Sequence, residues 1–246
     1  MTSDGARVSA IIPVYNGESY LAEAIDSVLN QTCEPKEVLV LDDGSTDGSG
    51  SIAKSYGSAV RYHLQPNRGL GAARNEAIRL SRGTFLAFLD ADDVWTDDKL
   101  SLQMKAALVD PSLDIVAGHV EHFFALDLEE GLRRKIRCPT MPQPAPVVPA
   151  MLIRRSVFDR TGMFETDLRV GVDLEWYLRV QELGVRVEVL PQTVLRRRLH
   201  ARNTGIVGSQ HASQRLQILK AALDRRRGAD DKATMSNGSP DKPDTF

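Results

Sequence analysis

The sequence predicts an α/β fold with a central, mostly parallel sheet flanked by helices. Three observations lead there. Short apolar runs that read as buried strands alternate with helix-period segments from the eighth residue onward. Two of those runs, Glu37–Leu41 and Thr84–Leu89, stop abruptly at clusters of aspartates. The 246 residues, 42% of them hydrophobic and 26% charged, suffice for one large core.

Taken in order, Val8–Val14 is a buried strand whose end Pro13 should mark, since proline cannot donate to a ladder. Leu21, Ala24, Ile25, Val28 and Leu29 give Tyr20–Asn30 helical spacing. Glu37–Leu41 is a second strand, and Ser45, Thr46 and Asp47 can cap a helix over Gly48–Tyr56. Ala59–Leu64 is a third strand, followed by the loop Gln65–Gly69 and a helix from Gly71 to Leu80. Thr84–Leu89 then reads as a strand buried on both faces.

Beyond it the pattern is less regular. Lys99–Leu108 reads as a helix and Asp114–Phe124 as a strand. Asp127–Arg137 is charged, and Cys138–Pro149, with five prolines, is a loop. Val157–Thr161 and Glu175–Leu183 are helical, and Val185–Leu190 and Thr193–Leu199 are short strands. The stripe Ala212, Leu216, Leu219 and Leu223 makes Ser209–Arg226 amphipathic. The reading is one domain over residues 1–227 and a polar tail over 228–246 whose composition predicts disorder.

A formal net charge of −2 gives no whole-molecule argument for nucleic acid. Cys33 and Cys138 match no zinc spacing and suggest free thiols. No apolar run reaches the length of a membrane span, and the first residues lack the apolar stretch of a signal peptide. The expectation is a cytoplasmic protein, with any membrane contact peripheral and at the inner face. The basic clusters Arg133–Arg137 and Arg225–Arg227 read as solvated charge or as contacts for anionic headgroups.

Several constellations carry chemistry. Asp90, Asp92 and Asp93 crowd the end of a strand, where open α/β sheets bind ligands. Their mutual repulsion calls for a divalent cation, and period-2 geometry puts Asp90 and Asp92 on one side as Mg²⁺ or Mn²⁺ ligands. A solvated acidic turn is the alternative. Asp42 and Asp43 at the earlier strand end can accept hydrogen bonds from a nucleobase edge or a ribose, or can simply close a helix-capping turn. Asn67–Asn75 is glycine-rich, opens a helix and holds Arg68 and Arg74, a suitable phosphate environment or an ordinary loop. Asp173 can serve as a general base if burial raises its pKa, and is otherwise a helix N-cap. His200 lies within reach of a metal or phosphate, among arginines.

Together, VSAIIPVYNGESYLAEAIDSVLNQTCEPKEVLVLDDGSTDGS, NRGLGAARNEAI and FLAFLDADDVW resemble the family 2 glycosyltransferases, over about residues 8–204. The resemblance implies the GT-A nucleotide-sugar-binding fold and an inverting single displacement. It implies a nucleotide pocket at Pro13, Val14, Tyr15 and Asn16, with Asp43 reading the base and Asp42 beside it. It also implies Arg74 near the diphosphate, and an Asp-x-Asp element, Asp90-Ala91-Asp92, holding Mn²⁺ or Mg²⁺. Asp173 matches the base, and His200 an Arg-x-x-His element near the donor phosphates and the metal. The implied partners are a nucleotide-sugar donor, UDP-linked, and a saccharide, lipid-linked or other hydroxyl acceptor.

Two positions depart from the family pattern. Val172 replaces the acid usual before the base, and Glu76 stands where glycine is usual.

Rival readings remain at this stage. Asp90-Ala91-Asp92-Asp93-Val94 fits a phosphohydrolase with Asp90 as aspartyl nucleophile, although three strands precede it. Gly69-Leu70-Gly71-Ala72-Ala73-Arg74 nearly fits a dinucleotide fingerprint, with Arg74 at its third glycine. A non-catalytic nucleotide-sugar-binding protein is the non-enzyme alternative.

Overall fold

A computed structural model describes residues 7–145, 147–203 and 216–225. The first half contains β1 (Val8–Val14), α1 (Leu21–Leu29), β2 (Glu37–Asp42), α2 (Ser49–Ser55), β3 (Arg61–Leu64), α3 (Leu70–Leu80) and β4 (Phe85–Phe88). There follow β5 (Val94–Trp95), α4 (Lys99–Val109), β6 (Ile115–Phe124), α5 (Glu130–Arg133), β7 (Gln143–Pro144) and β8 (Met151–Arg154). The last are α6 (Val157–Thr161), α7 (Val172–Glu182) and β9 (Val187–Leu199). A further helix covers residues 216–225. No helix among the described residues is long and apolar enough to cross a membrane.

One nine-stranded sheet runs β3-β2-β1-β4-β8-β6-β9-β5, with β7 paired to β6. Its first four strands are all parallel, and the β4, β8 and β6 pairings are antiparallel. Period-2 alternation divides the apolar residues between two cores. Ala10, Ile12, Val38 and Val40 meet α1, α2 and α4 on one face. Ile11, Leu39, Leu41, Leu86 and Phe88 meet α3, α6 and α7 on the other.

The chain steps outward from β1 to β2 and β3, then returns across β1 to β4. Right-handed crossovers running in opposite directions must lie on opposite faces, which is why α1 and α2 share one core and α3 the other. The crevice beyond β1 and β4 is the topological switch point, and a ligand site is expected there.

Pro13 is tolerated inside β1 for a geometric reason. Ile11 O accepts from Leu89 N and Val14 O from Asp43 N, so odd residues of β1 face β4. The missing N–H of Pro13 thus falls on the β4 side, past the last β1–β4 pair, Ile11 with Phe88.

Several expectations need correction. The two short strands predicted over Val185–Leu199 are one strand, β9, with Pro191 accommodated in the register break between the Ala117–Val189 and His119–Thr193 pairs. Helix α7 begins at Val172 rather than Glu175, because Gly171 supplies a left-handed cap at φ 80°. Strands β5 and β8 escaped the sequence reading. Within the helix at 216–225, Ile218 and Ala222 are buried while Leu216, Leu219 and Leu223 are exposed, so the predicted stripe faces outward. Ala212, the rest of the predicted helix and the tail lie outside the described residues.

Lys99, the first residue of α4, is fully buried. Its ammonium meets only neutral partners, Gln103 Oε1 at 2.5 Å, Met151 O at 3.3 Å and the Trp95 ring at 4.6 Å. Burial pulls its pKa from the usual 10.5 to about 7. Between these values the unfolded chain binds more protons than the folded one, so stability rises with pH across that window. Lys99→Met is expected to raise the melting temperature at pH 7, by an amount reflecting a few kcal/mol, and to flatten the stability profile between pH 7 and 10.5. Thermal melts across that range check both.

Candidate functional site

Two adjoining cavities occupy the switch-point crevice. One, of about 610 Å³, is lined by Pro13, Val14, Tyr15, Asp43, the Asn67–Leu70 stretch and the Thr166–Arg169 stretch. The other, of about 550 Å³, is lined by Pro13, Tyr15, Asn16, Tyr20, Leu70, Asp90, Ala91, Asp92, Asp93, Arg197, His200, Arg202 and Asn203 among others. Pro13, Tyr15 and Leu70 belong to both, so Asp43, just after β2, and Asp90, Asp92 and Asp93, after β4, face one continuous groove.

The loops around it are cross-tied by side chains. Asn16, at φ 52°, receives a Thr46 N–H on Oδ1 (2.8 Å) and donates its own N–H to Ser45 Oγ (2.9 Å). Gly17 N donates to Ser49 Oγ (2.9 Å), and Gly48 N to Glu18 Oε2 (2.7 Å). The loop after β1 is therefore fastened to the loop after β2.

Asp43 is buried and fastens the next loop. It accepts from Gln65 Nε2 (2.6 Å), Arg68 N (2.9 Å) and Gly69 N (2.7 Å). Asp42 binds Ser45 N and Tyr62 Oη, both at 2.7 Å, and lines neither cavity. The tyrosine hydroxyl is pushed up to about 12 by burial and then by that carboxylate.

Arg74, expected near the diphosphate, does not open onto the groove. It is fully buried, lines neither cavity and bridges two carboxylates. Nη2 donates to Asp90 Oδ1 at 2.9 Å, and Nη1 makes a very short contact with Asp173 Oδ1. Phe164 and Phe88 cover the guanidinium at 5.3 and 5.8 Å, and Nε has no hydrogen-bond partner.

Asp173 sits in the first turn of α7, and Gly171, not Asp173, occupies the cap. Its second oxygen accepts the Val148 N–H at 3.0 Å. Val172 turns into the core beside Trp176, which explains an apolar residue there. Glu76 pairs with Arg79 at 2.9 Å.

The acidic turn is crowded. Burial, then Asp173 and Asp92, raise the Asp90 carboxyl above its usual range against the pull of Arg74. Burial, then Asp92 and Asp90, push Asp93 further, although it accepts the Arg198 N–H at 2.9 Å. A cation would relieve this repulsion.

Asp92 Oδ2 meets His200 Nε2 at 2.8 Å and Asn203 Nδ2 at 3.2 Å. His200 Nδ1 accepts the Arg202 N–H at 3.2 Å, so the neutral ring carries its proton on Nε2 and donates it to Asp92. Among the described residues no group of three or more His, Cys, Asp or Glu side chains is arranged to hold a metal alone. That suits Mg²⁺ or Mn²⁺, which take one or two carboxylates together with substrate phosphates rather than a protein cage.

The sequence reading missed Tyr20, whose ring lies tilted with its centroid 5.1 Å from that of His200, and Asn203 and Arg202. It also missed the Thr166–Arg169 wall. The signal for that wall was Gly71, where a Cβ would collide with the Glu165 carbonyl as the segment crosses α3. Asn75 anchors the same segment through both backbone groups of Phe164, at 2.8 and 2.9 Å.

Comparison with known proteins agrees with this geometry. An uncharacterised glycosyltransferase of Rickettsia typhi is 31% identical over 198 residues, which is 74% of this chain and 62% of that one. The uncharacterised glycosyltransferase EpsJ of Bacillus subtilis is 30% identical over 205 residues, 75% of this chain and 59% of its own. The chain thus spans about three fifths of these relatives. The crystal structure of Staphylococcus aureus TarS 1–349 in complex with UDP-GlcNAc superposes with a TM-score of 0.68 at 21% identity, covering 88% of this chain and 65% of that one. The likeness shows the same GT-A fold. Residues 9–166 match the profile described as Glycosyl transferase family 2, and the chain belongs to that family.

Proposed function

We propose that the chain transfers a sugar from a UDP-sugar to an acceptor hydroxyl, with inversion at the anomeric carbon. The observation that carries the proposal is the continuous groove. One end is walled by Asp43 and the Asn67–Leu70 stretch, and the other by Asp90, Asp92 and His200. Its two lobes suit a nucleoside and a sugar diphosphate. The relatives' names and the UDP-GlcNAc bound to TarS support the donor class.

Asp43 keeps the loop before α3 against the nucleoside lobe, with Pro13, Val14 and Tyr15 opposite. Asp90 and Asp92 would hold Mn²⁺ or Mg²⁺ together with the donor phosphates. His200 could add a ligand through Nε2 in the tautomer that carries its proton on Nδ1, which would release the Arg202 N–H. When bound, the cation supplies charge neutralisation to the departing diphosphate. Arg74 acts through the carboxylates it bridges, fixing Asp90 relative to Asp173.

Asp173 takes the proton of the acceptor hydroxyl as its oxygen bonds to the anomeric carbon. The bond from that carbon to the phosphate oxygen breaks, and UDP departs with the electron pair. Attack on the opposite face inverts configuration.

A thermal-shift panel of nucleotides and nucleotide sugars, with and without Mn²⁺, tests the donor class. UDP-sugars are expected to stabilise the protein, and silence across the panel would overturn the proposal. Asp173→Asn should abolish transfer while leaving UDP affinity unchanged; full activity in that variant removes the base role. Asp92→Ala should lose the Mn²⁺-dependent part of UDP affinity, about tenfold or more, by calorimetry. Arg74→Met strands two partly buried carboxylates and is expected to cost about 3–5 kcal/mol in urea unfolding.

A further inference from the structure

Behind the base lies a buried polar array that the reaction as described leaves unused. The turn Val148–Ala150 and the first residue of β8 form a continuous strut. Three consecutive carbonyls of this strut are each taken by a different buried side chain. Trp95 Nε1 donates to Pro149 O at 3.3 Å, Gln103 Nε2 to Ala150 O at 2.9 Å, and Lys99 Nζ to Met151 O at 3.3 Å. The next residue back, Val148, donates its N–H to Asp173 Oδ2 at 3.0 Å.

The donors are themselves tied down. Gln103 Nε2 also reaches Val116 O at 2.9 Å, and its Oε1 receives Lys99 Nζ at 2.5 Å. Trp95 N donates to Ser27 Oγ at 3.2 Å, and Gln31 Oε1 accepts the Leu100 N–H at 2.9 Å, so α1 and the turn after it brace the group. Trp95, Lys99 and Gln103 are all essentially inaccessible to solvent. A lysine without a carboxylate partner is an expensive residue to bury, and an apolar side chain would pack the same space at less cost. Its retention needs a reason other than stability.

We infer that Trp95, Lys99 and Gln103 are positioning residues for Asp173. They lock the Val148–Met151 strut so that the Val148 N–H holds one carboxylate oxygen while Arg74 holds the other. The inference rests on Asp173 being the base. None of the three side chains lines the donor cavities. Their effect should therefore reach the chemical step and leave donor binding alone.

The test uses the full chain with the UDP-sugar giving the largest thermal shift, reading UDP release to water so that no acceptor is needed. Lys99→Met removes one donor and a buried charge. Trp95→Phe removes another donor and keeps the ring. Both are expected to lower kcat roughly five- to tenfold with KM for the donor within about twofold. Lys99→Met should do so without lowering the melting temperature, a combination that plain destabilisation does not give. Amide exchange at Val148 should quicken in both.

If both variants turn over like wild type, or exchange at Val148 is unchanged, the positioning role is refuted. A parallel loss of kcat, donor affinity and stability refutes it too. Asp173→Asn separates the two readings: if that variant is inactive while Lys99→Met and Trp95→Phe are normal, only the positioning inference falls. If it stays active, or the wild type releases no UDP, the base reading falls and takes this inference with it.

Discussion

Arg74 carries a permanent charge into a place closed to bulk solvent, and much of the site is arranged around that fact. A buried guanidinium is tolerated only when its donors meet negative partners of good geometry. Asp90 comes from the end of β4 and Asp173 from the first turn of α7, elements far apart in sequence. The planar fork can reach both at once, whereas a lysine ammonium on one flexible stem could not fix their angle. Phe88 and Phe164 close over the cation and exclude the water that would otherwise compete. The ion bridge therefore sets the separation of the acidic turn from α7, and with it the geometry of any chemistry between them.

The sheet explains why those elements meet. Strand order reverses beside β1, so the loops after β1, β2 and β4 open on one crevice. Antiparallel β8 then enters next to β4 and brings the strut before it beneath α7. A wholly parallel continuation would need a long crossover at this point. The antiparallel strand replaces that crossover with a short rigid turn, and Asp173 gains its second hydrogen bond from it.

The parallel half of the fold was legible in the sequence because both of its signals are local. Strands buried on both faces are short apolar runs, and the helices between them carry a clean 3.6-residue period. In the mixed half α4, β6 and α6 were legible and other elements were not. Strand β5 has only two residues, and β8 follows a proline-rich stretch that reads as loop. The amphipathic stripe at Leu216, Leu219 and Leu223 misled because Ile218 and Ala222, the residues that pack inward, make the weaker pattern.

Within the site, Asp43, Asp90, Asp92 and His200 were identified from motif order, and they do share one groove. What could not be read was the role of Arg74, since a glycine-rich helix start suggests phosphate whether its arginine points out or in. Lys99 was equally opaque. Only tertiary packing turns a helix-start lysine into a core residue.

The two ends of the site differ in how firmly they are built. Around the lobe walled by Asp43 nearly every loop is closed by a side-chain bond to backbone: Asn16 to Thr46, Asp43 to Arg68 and Gly69, Asn75 to Phe164. Such bonds fix backbone positions without needing regular secondary structure. On the far side of His200, the segment after β6 carries the short α5, the two-residue β7, a Tyr20–Asp127 hydrogen bond at 3.1 Å and a surface ion pair between Arg134 and Glu130 at 3.1 Å. Leu126 and Met141 there are exposed. Exposed pairs of that kind contribute little, and a stretch with few buried contacts opens at low free energy. Under the proposed transfer, the firmly tied lobe suits a donor that need not vary, and the more loosely built end suits the entry of an acceptor.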